Sequence, residues 1–184
     1  MTYIQHYDSP LGGILLAADE IGLTGLWFDG QKYFARGLSN ERIAQETSVL
    51  AEANRWLDIY FTGKEPDFTP PLHPAGTPFQ RTVWALLGQI PYGETTTYGA
   101  LAQTLAARVG LASMSAQAVG GAVGHNPISL MLPCHRVIGA GGNLVGYAGG
   151  LPRKRYLLEL EGVDVSGLHP PQVACHGTGA QQYP

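Results

Sequence analysis

The stretch KEPDFTPPLHPAGTPFQ, residues 64–80, decides how the chain is organised. Prolines stand at 66, 70, 71, 74 and 78. Each lacks an amide donor and disfavours helix in the residue before it, so most of this stretch is an extended connector. Its end carries the opposite signal. Thr77 offers an N-cap hydroxyl, Pro78 suits the first helical position, and Gln80 stands where a capping box needs it, so a helix starts here. The reading places a boundary after Gly76, with an N-terminal domain over 1–76, a second domain over 77–163 and a disordered tail over 164–184.

Upstream of the connector, residues 2–7, 14–18 and 23–28 are short, apolar and punctuated by Gly12, Gly13 and Gly22, as strands are. Residues 48–61 are helical. Val49, Ala53, Trp56, Leu57, Tyr60 and Phe61 recur at helical spacing on one face, and Gly63 follows as a stop. Downstream, Phe79, Val83, Leu86 and Leu87 give the first helix its apolar face. A second helix starts at Tyr98 with Thr97 as cap. A break at Gly110 leads to a third over 115–123, and the pair suggests a helix-turn-helix. Residues 129–132 and 137–138 read as short strands, 139–143 as a hairpin loop, and 152–160 as a last helix. The fold class is therefore α/β: a small strand-rich α/β unit followed by a mostly helical one.

Of 184 residues, 45% are hydrophobic and 14% charged, which supports a core and excludes global disorder. No apolar run is long enough to span a membrane, and residues 1–10 lack the pattern of a signal peptide, so a cytoplasmic protein is expected. The net charge of -3 argues against a classical basic nucleic-acid binder. That total hides an asymmetry. Residues 1–76 carry five basic and ten acidic side chains, and residues 77–162 carry six and three, so the second half could favour a polyanion and the first could not, although on such small counts ordinary charge scatter is the favoured alternative. The two cysteines, Cys134 and Cys175, make neither a disulfide framework nor a structural zinc site.

The chemistry concentrates in residues 126–137, NPISLMLPCHRV. A cysteine attacks only as thiolate, and its ordinary pKa of about 8.5 calls for a neighbouring base or cation near neutral pH. Cys134 has His135 beside it and Arg136 two places on. In an extended strand, adjacent side chains point to opposite faces, so a productive Cys134–His135 contact requires a turn or a relaying water. From these residues alone, a core cysteine next to a surface histidine is the slightly favoured reading.

The segment Pro133-Cys134-His135-Arg136-Val137 resembles the active-site signature of the O6-alkylguanine-DNA alkyltransferases, also called methylated-DNA–protein-cysteine methyltransferases. The resemblance extends in family order through Gly93-Glu94-Thr95-Thr96-Thr97-Tyr98, Gln117-Ala118-Val119-Gly120-Gly121-Ala122, His125-Asn126-Pro127, Gly146-Tyr147-Ala148-Gly149-Gly150-Leu151 and Leu157-Leu158-Glu159-Leu160-Glu161-Gly162. It covers residues 77–163; the first 76 match only in length and strand-rich character. It implies a ribonuclease-H-like first domain and a winged-helix-like second one. It implies Cys134 as acceptor of the alkyl group from O6-methylguanine, and O4-methylthymine is a second substrate it allows. His135 is implied as base through a water, with Glu161 orienting it and Asn126 bracing the network. Tyr98 is implied on N3 of the flipped purine. Val137, Tyr147 and Ala148 are implied to line its pocket through a carbonyl, a ring and an amide, respectively. Gln117, Ala118, Gly120, Gly121 and Arg136 are implied at the DNA. The helix with the small residues is implied in the minor groove. No cofactor or metal is implied, and the partner is double-stranded DNA met by a monomer that reacts once.

One departure stands out. The family commonly places an arginine where this chain has Gln117, which weakens the expected capture of the flipped base. The presence of Cys134 argues against the family's non-catalytic sensor branch. Two rivals remain beside the alkyltransferase reading: a non-enzymatic binder of damaged DNA, and a Cys–His hydrolase of small esters. The covalent fate of Cys134 separates the three.

Overall fold

The computed structural model describes residues 1–171. Strands β1 (Thr2–Ser9), β2 (Gly12–Ala18), β3 (Leu23–Phe28) and β4 (Arg42–Ala44) form one sheet in the order β3-β2-β1-β4. The first three are an antiparallel meander, as their Gly-punctuated spacing predicts. The short β4 runs parallel to β1 and was not expected, because its three exposed residues carry no apolar alternation. Helix α1 (Ser48–Tyr60) is capped by the Thr47 side chain and buries Leu50, Ala53, Trp56, Leu57 and Tyr60. Val49 and Phe61, placed on that face from spacing, are only partly buried.

The outer edge of β3 joins the halves. Leu23 bridges to Leu72 of the connector, and Leu26 to Ile128. The Leu26 amide donates to the Pro127 carbonyl at 2.8 Å, so an edge that would otherwise invite foreign pairing is covered from both sides. Arg153 adds a staple, donating to the carbonyls of Leu11, Asp29 and Gly149. One apolar cluster runs through both halves. It takes Ile14, Leu16 and Phe28 from the sheet and Val83, Leu101 and Val119 from the helices.

The second half contains α2 (Pro78–Leu87), β5 (Thr96–Thr97), α3 (Tyr98–Arg108), α4 (Ala116–Gly124), β6 (Val137–Ile138) and α5 (Leu151–Leu160). The Thr77–Gln80 capping box forms in both directions. Phe79 lies outside the buried face assigned to it. Trp84 is buried instead, and its indole donates to the Ala122 carbonyl at 2.9 Å, docking α2 on α4. α3 and α4 pack as the expected helix-turn-helix around Gly110. Among the described residues no helix is long and apolar enough to cross a membrane.

Three expectations fail. Residues 129–132 form a buried turn rather than a strand, with Leu130 at φ 71. A short apolar run does not distinguish the two. Residues 139–143 form a loop closed by the Gly139 amide on the Asn143 carbonyl at 2.7 Å, but among the described residues no strand follows it to make a hairpin, and β6 pairs in parallel with β5 instead, Val137 opposite Thr96. The tail does not begin at 164. Val165 is buried with Leu144 and Leu158, and the His169 carbonyl accepts from the Leu144 amide at 2.7 Å. Apolar Val165 and Leu168 hold this stretch on the fold. The rest of the expected tail, with Cys175, lies outside the described residues.

Candidate active site

Pro133 turns the chain into a single 3-10 turn, Cys134–Arg136, that leads into β6. The turn answers the geometric difficulty of neighbouring side chains on opposite faces. Cys134, His135 and Arg136 are all buried within it. Asn126 braces the turn from the end of α4. Its Nδ2 donates to the Leu132 carbonyl at 2.7 Å, and its Oδ1 accepts from the Ile128 amide at 3.0 Å.

Behind the turn stands Glu161, just past the end of α5, with a fully buried carboxylate. Oε1 accepts from His135 Nε2 at 2.6 Å, from the Tyr60 hydroxyl at 2.7 Å and from Arg136 Nη2 at 3.0 Å. Oε2 accepts from Arg136 Nε at 2.8 Å and from the Gly93 amide at 3.1 Å. Gly93 has φ 76, and a Cβ there would lie 3.0 Å from the Glu161 carbonyl, so the amide reaches the carboxylate only because the residue is glycine. Although burial opposes ionisation, the bonds and charges of His135 and Arg136 outweigh it together and bring the Glu161 pKa down to about 2.

Arg136 corrects the sequence reading. It was expected at the DNA, but its guanidinium is turned inward onto Glu161 and onto the Ile90 carbonyl at 2.6 Å. A buried carboxylate needs a counter-charge, and the planar guanidinium supplies two parallel bonds to it.

An ionised carboxylate only accepts, so His135 Nε2 carries the proton that faces it, and Nδ1 carries the lone pair. That Nδ1 is buried with no protein partner. Burial lowers the His135 pKa despite Glu161, so the ring is a neutral base at neutral pH. Burial raises the Cys134 pKa, while the Asn126 side chain and the Lys154 charge work against that. The thiol therefore has to be activated where it sits.

Lys154 was missed by the sequence reading. Fully buried, it donates from Nζ to the carbonyls of Val137 at 2.5 Å and Val145 at 2.9 Å. Burial brings its pKa down to about 8, and Cys134 opposes that fall. The signal was present: 154, 157, 158 and 161 recur at spacings of three and four, so Lys154 shares the inward face of α5 with Leu157 and Leu158. Tyr60 was placed only as a core position, since nothing local in the sequence links it to a carboxylate 101 residues away.

Of the other expected residues, Tyr147, Ala148, Gly120 and Gly121 line a cavity of about 450 Å³, together with Val145 and Gly146, Gly124 of α4, and Lys32 and Tyr33 of the N-terminal half. Those last two had no functional signal in the sequence. Cys134 is not a lining residue; burial leads the rise in the pKa of both Tyr98 and Tyr147, with the Cys134 charge second in each. Tyr98 opens α3 and donates its hydroxyl to the carbonyl of Val145 at 3.1 Å or Gly146 at 3.3 Å. The Val137 carbonyl keeps a second lone pair beside Lys154. Gln117, Ala118 and Gly121 are exposed on α4, and Gly120 is half-buried.

The fold and this turn define a thiol protein whose one buried cysteine, among the described residues, is backed by a histidine–carboxylate pair. Two family models match it: 6-O-methylguanine DNA methyltransferase, ribonuclease-like domain, over residues 2–74, and 6-O-methylguanine DNA methyltransferase, DNA binding domain, over residues 78–163. The chain belongs to the 6-O-methylguanine DNA methyltransferase family. A methylated-DNA–protein-cysteine methyltransferase of Methanosarcina acetivorans is 43% identical over 166 residues, 87% of this chain and 98% of that protein. One of Mycobacterium leprae is 44% identical over 161 residues, 88% and 93% of the two chains. The crystal structure of Mycobacterium tuberculosis OGT in complex with DNA superposes with a TM-score of 0.74 at 42% identity, covering 86% of this chain and 92% of that one. The family thus extends over the first half, where the sequence offered only length and strand-rich character.

Proposed function

We propose that this protein repairs DNA by transferring the alkyl group of O6-methylguanine irreversibly to Cys134. The observation that carries the assignment of roles is the bare, buried Nδ1 of His135, held in that tautomer by a 2.6 Å bond to Glu161. The Cys134 proton passes through a water to that nitrogen. The thiolate attacks the methyl carbon in line; the sulfur–carbon bond forms as the carbon–O6 bond breaks. The electron pair leaves on guanine, which takes up a proton from solvent, and the imidazolium, stabilised meanwhile by Glu161, returns its own proton to solvent. Tyr98 neutralises the leaving purine at N3 by trading its bond to the 145–146 carbonyls. Tyr147 and the Ala148 amide hold the base. No group in this sequence removes the thioether, so each molecule acts once, as a monomer. Residues 77–163 carry this chemistry and the DNA contact, while residues 1–76 buttress the relay.

The lesion lies inside stacked duplex, so the nucleotide must be flipped into the cavity. Glycines on α4 support that approach. A Cβ on Gly121 or Gly124 would meet nothing within 4 Å, and one on Gly120 only the Tyr98 ring at 3.6 Å. The fold itself does not require them, although glycine inside a helix costs about 1 kcal/mol against alanine. Close passage of a DNA backbone accounts for their presence. Gly121→Ala is therefore expected to raise stability by up to about 1 kcal/mol. The same change should slow transfer from methylated duplex and leave transfer from the free base unchanged. Melting temperature and single-turnover rates on the two substrates check this; equal rates on duplex would remove α4 from the DNA.

The assignment itself is tested by intact mass spectrometry after incubation with duplex containing O6-methylguanine. One methyl added per chain, located on Cys134 and persistent, is expected. No modification would indicate a damage binder, and a transient acyl adduct with an ester would indicate a hydrolase.

A further inference from the structure

The N-terminal half places one polar atom into the relay. Tyr60, the last residue of α1, is fully buried, and its hydroxyl donates to Glu161 Oε1 at 2.7 Å while lying 3.4 Å from His135 Nε2. Its ring stacks on Trp56 and meets Phe61, Tyr92 and His135 edge-on, so the hydroxyl is fixed in place. Oε1 is the same atom that receives the His135 proton.

We propose that Tyr60 is a positioning residue of the relay: by sharing Glu161 Oε1 with His135, it sets how readily that histidine accepts a second proton. The inference rests on the roles given above to His135 and Glu161. A hydroxyl bonded to a carboxylate stabilises it more when the adjacent imidazole is neutral than when an imidazolium already draws on its charge. Tyr60 therefore favours the neutral, base-competent ring. The other groups around this pair are Tyr92 and the Gly93 amide before β5, Cys134 and Arg136 on the turn, Tyr147 beyond it, and Lys154 on α5. Of these, Arg136 and Gly93 also bond the carboxylate, and only Tyr60 comes from the N-terminal half.

Tyr60→Phe removes one oxygen and keeps the ring stack. The acid limb of the single-turnover rate is expected to move up by about half a pH unit, because the lone pair on His135 is lost to solvent protons sooner. The variant should then be slower than the parent on the acid limb, approaching about threefold well below the parent's midpoint, and equal to it or faster near pH 8. A purely structural role for Tyr60 would lower the rate by one factor at every pH, and that result, or an unchanged profile, overturns the inference. A second arm uses nitrogen-15 titration of His135 in DNA-free protein, where Tyr60→Phe should raise its midpoint. Incorporating 3,5-difluorotyrosine at position 60 keeps the buried oxygen and strengthens the donor, so the midpoint should fall. Midpoints that do not move in opposite directions sink the proposal. The DNA-free titration reads Tyr60 independently of transfer, whereas absence of methyl on Cys134 in the parent protein would sink the functional reading instead.

Discussion

Cys134→Ala is expected to abolish alkyl transfer outright while leaving affinity for methylated duplex within a few-fold of the parent protein. The sulfur is the proposed acceptor, and neither His135 nor Lys154 can replace it, since both are fully buried and committed to the fold. Binding should persist because Cys134 is only 5% exposed and does not line the cavity that α4 and the 145–150 loop form. Stability should change by no more than about 1 kcal/mol, since alanine removes one atom and breaks no ion pair. The measurement pairs a single-turnover transfer assay with binding of the same oligonucleotide. Transfer at the parent rate, with methyl found on Cys175 or elsewhere, would refute the acceptor assignment. Joint loss of transfer and binding would mean that the turn shapes the DNA-facing surface.

How much of this site the sequence discloses depends on how local each signal is. The start of α2 is legible because a cap is made by residues three apart, Thr77 and Gln80, which need no tertiary partner. Cys134, His135 and Asn126 are legible because one contiguous motif carries them. The turn that makes them work is not: Pro133 and an apolar run suit a strand equally well, and the conformation is fixed by the Asn126 bonds and by the parallel pairing of β6 with β5. The same holds for β4, whose pairing partner β1 lies about 40 residues earlier. Arg136 shows the opposite failure. A lone charge reads as surface by default, and only a carboxylate 25 residues away turns it inward. That change also alters the DNA-facing charge. With Arg136 and Lys154 buried and Arg153 stapling the halves, the basic excess of the second half is largely internal. The cavity instead takes Lys32 from the acidic half, a contribution that counting charges by segment cannot show.

Glu161→Gln is expected to cost both stability and rate. The carboxylate accepts five hydrogen bonds, from His135, Tyr60, Gly93 and twice from Arg136. Glutamine keeps the shape but loses the charge and turns one acceptor into a donor. A buried Arg136 is then left without its counter-charge, a loss of about 3–5 kcal/mol. The acid–base linkage gives a similar scale. Glu161 falls from the usual 4.5 to about 2, and a depression of that size corresponds to about 3 kcal/mol at neutral pH. Its sign is that of a depressed carboxylate: the contribution is present above pH 4.5 and fades as pH falls through about 2. The stability gap between parent and variant should therefore be widest near neutrality and close in acid. Urea denaturation across that range measures it, and a constant gap would mean that the charge of Glu161 is not what stabilises the fold. The rate should fall as well. Without the charge, the proton on His135 Nε2 is held less firmly and the imidazolium formed during transfer loses its counter-charge; general-base catalysis of this kind is worth about 10²–10⁴-fold. Single-turnover transfer at a temperature where both proteins are folded separates the two losses. A folded Glu161→Gln protein that transfers at the parent rate would show that Cys134 is activated without His135, with Asn126 and Lys154 as the remaining groups that favour its thiolate.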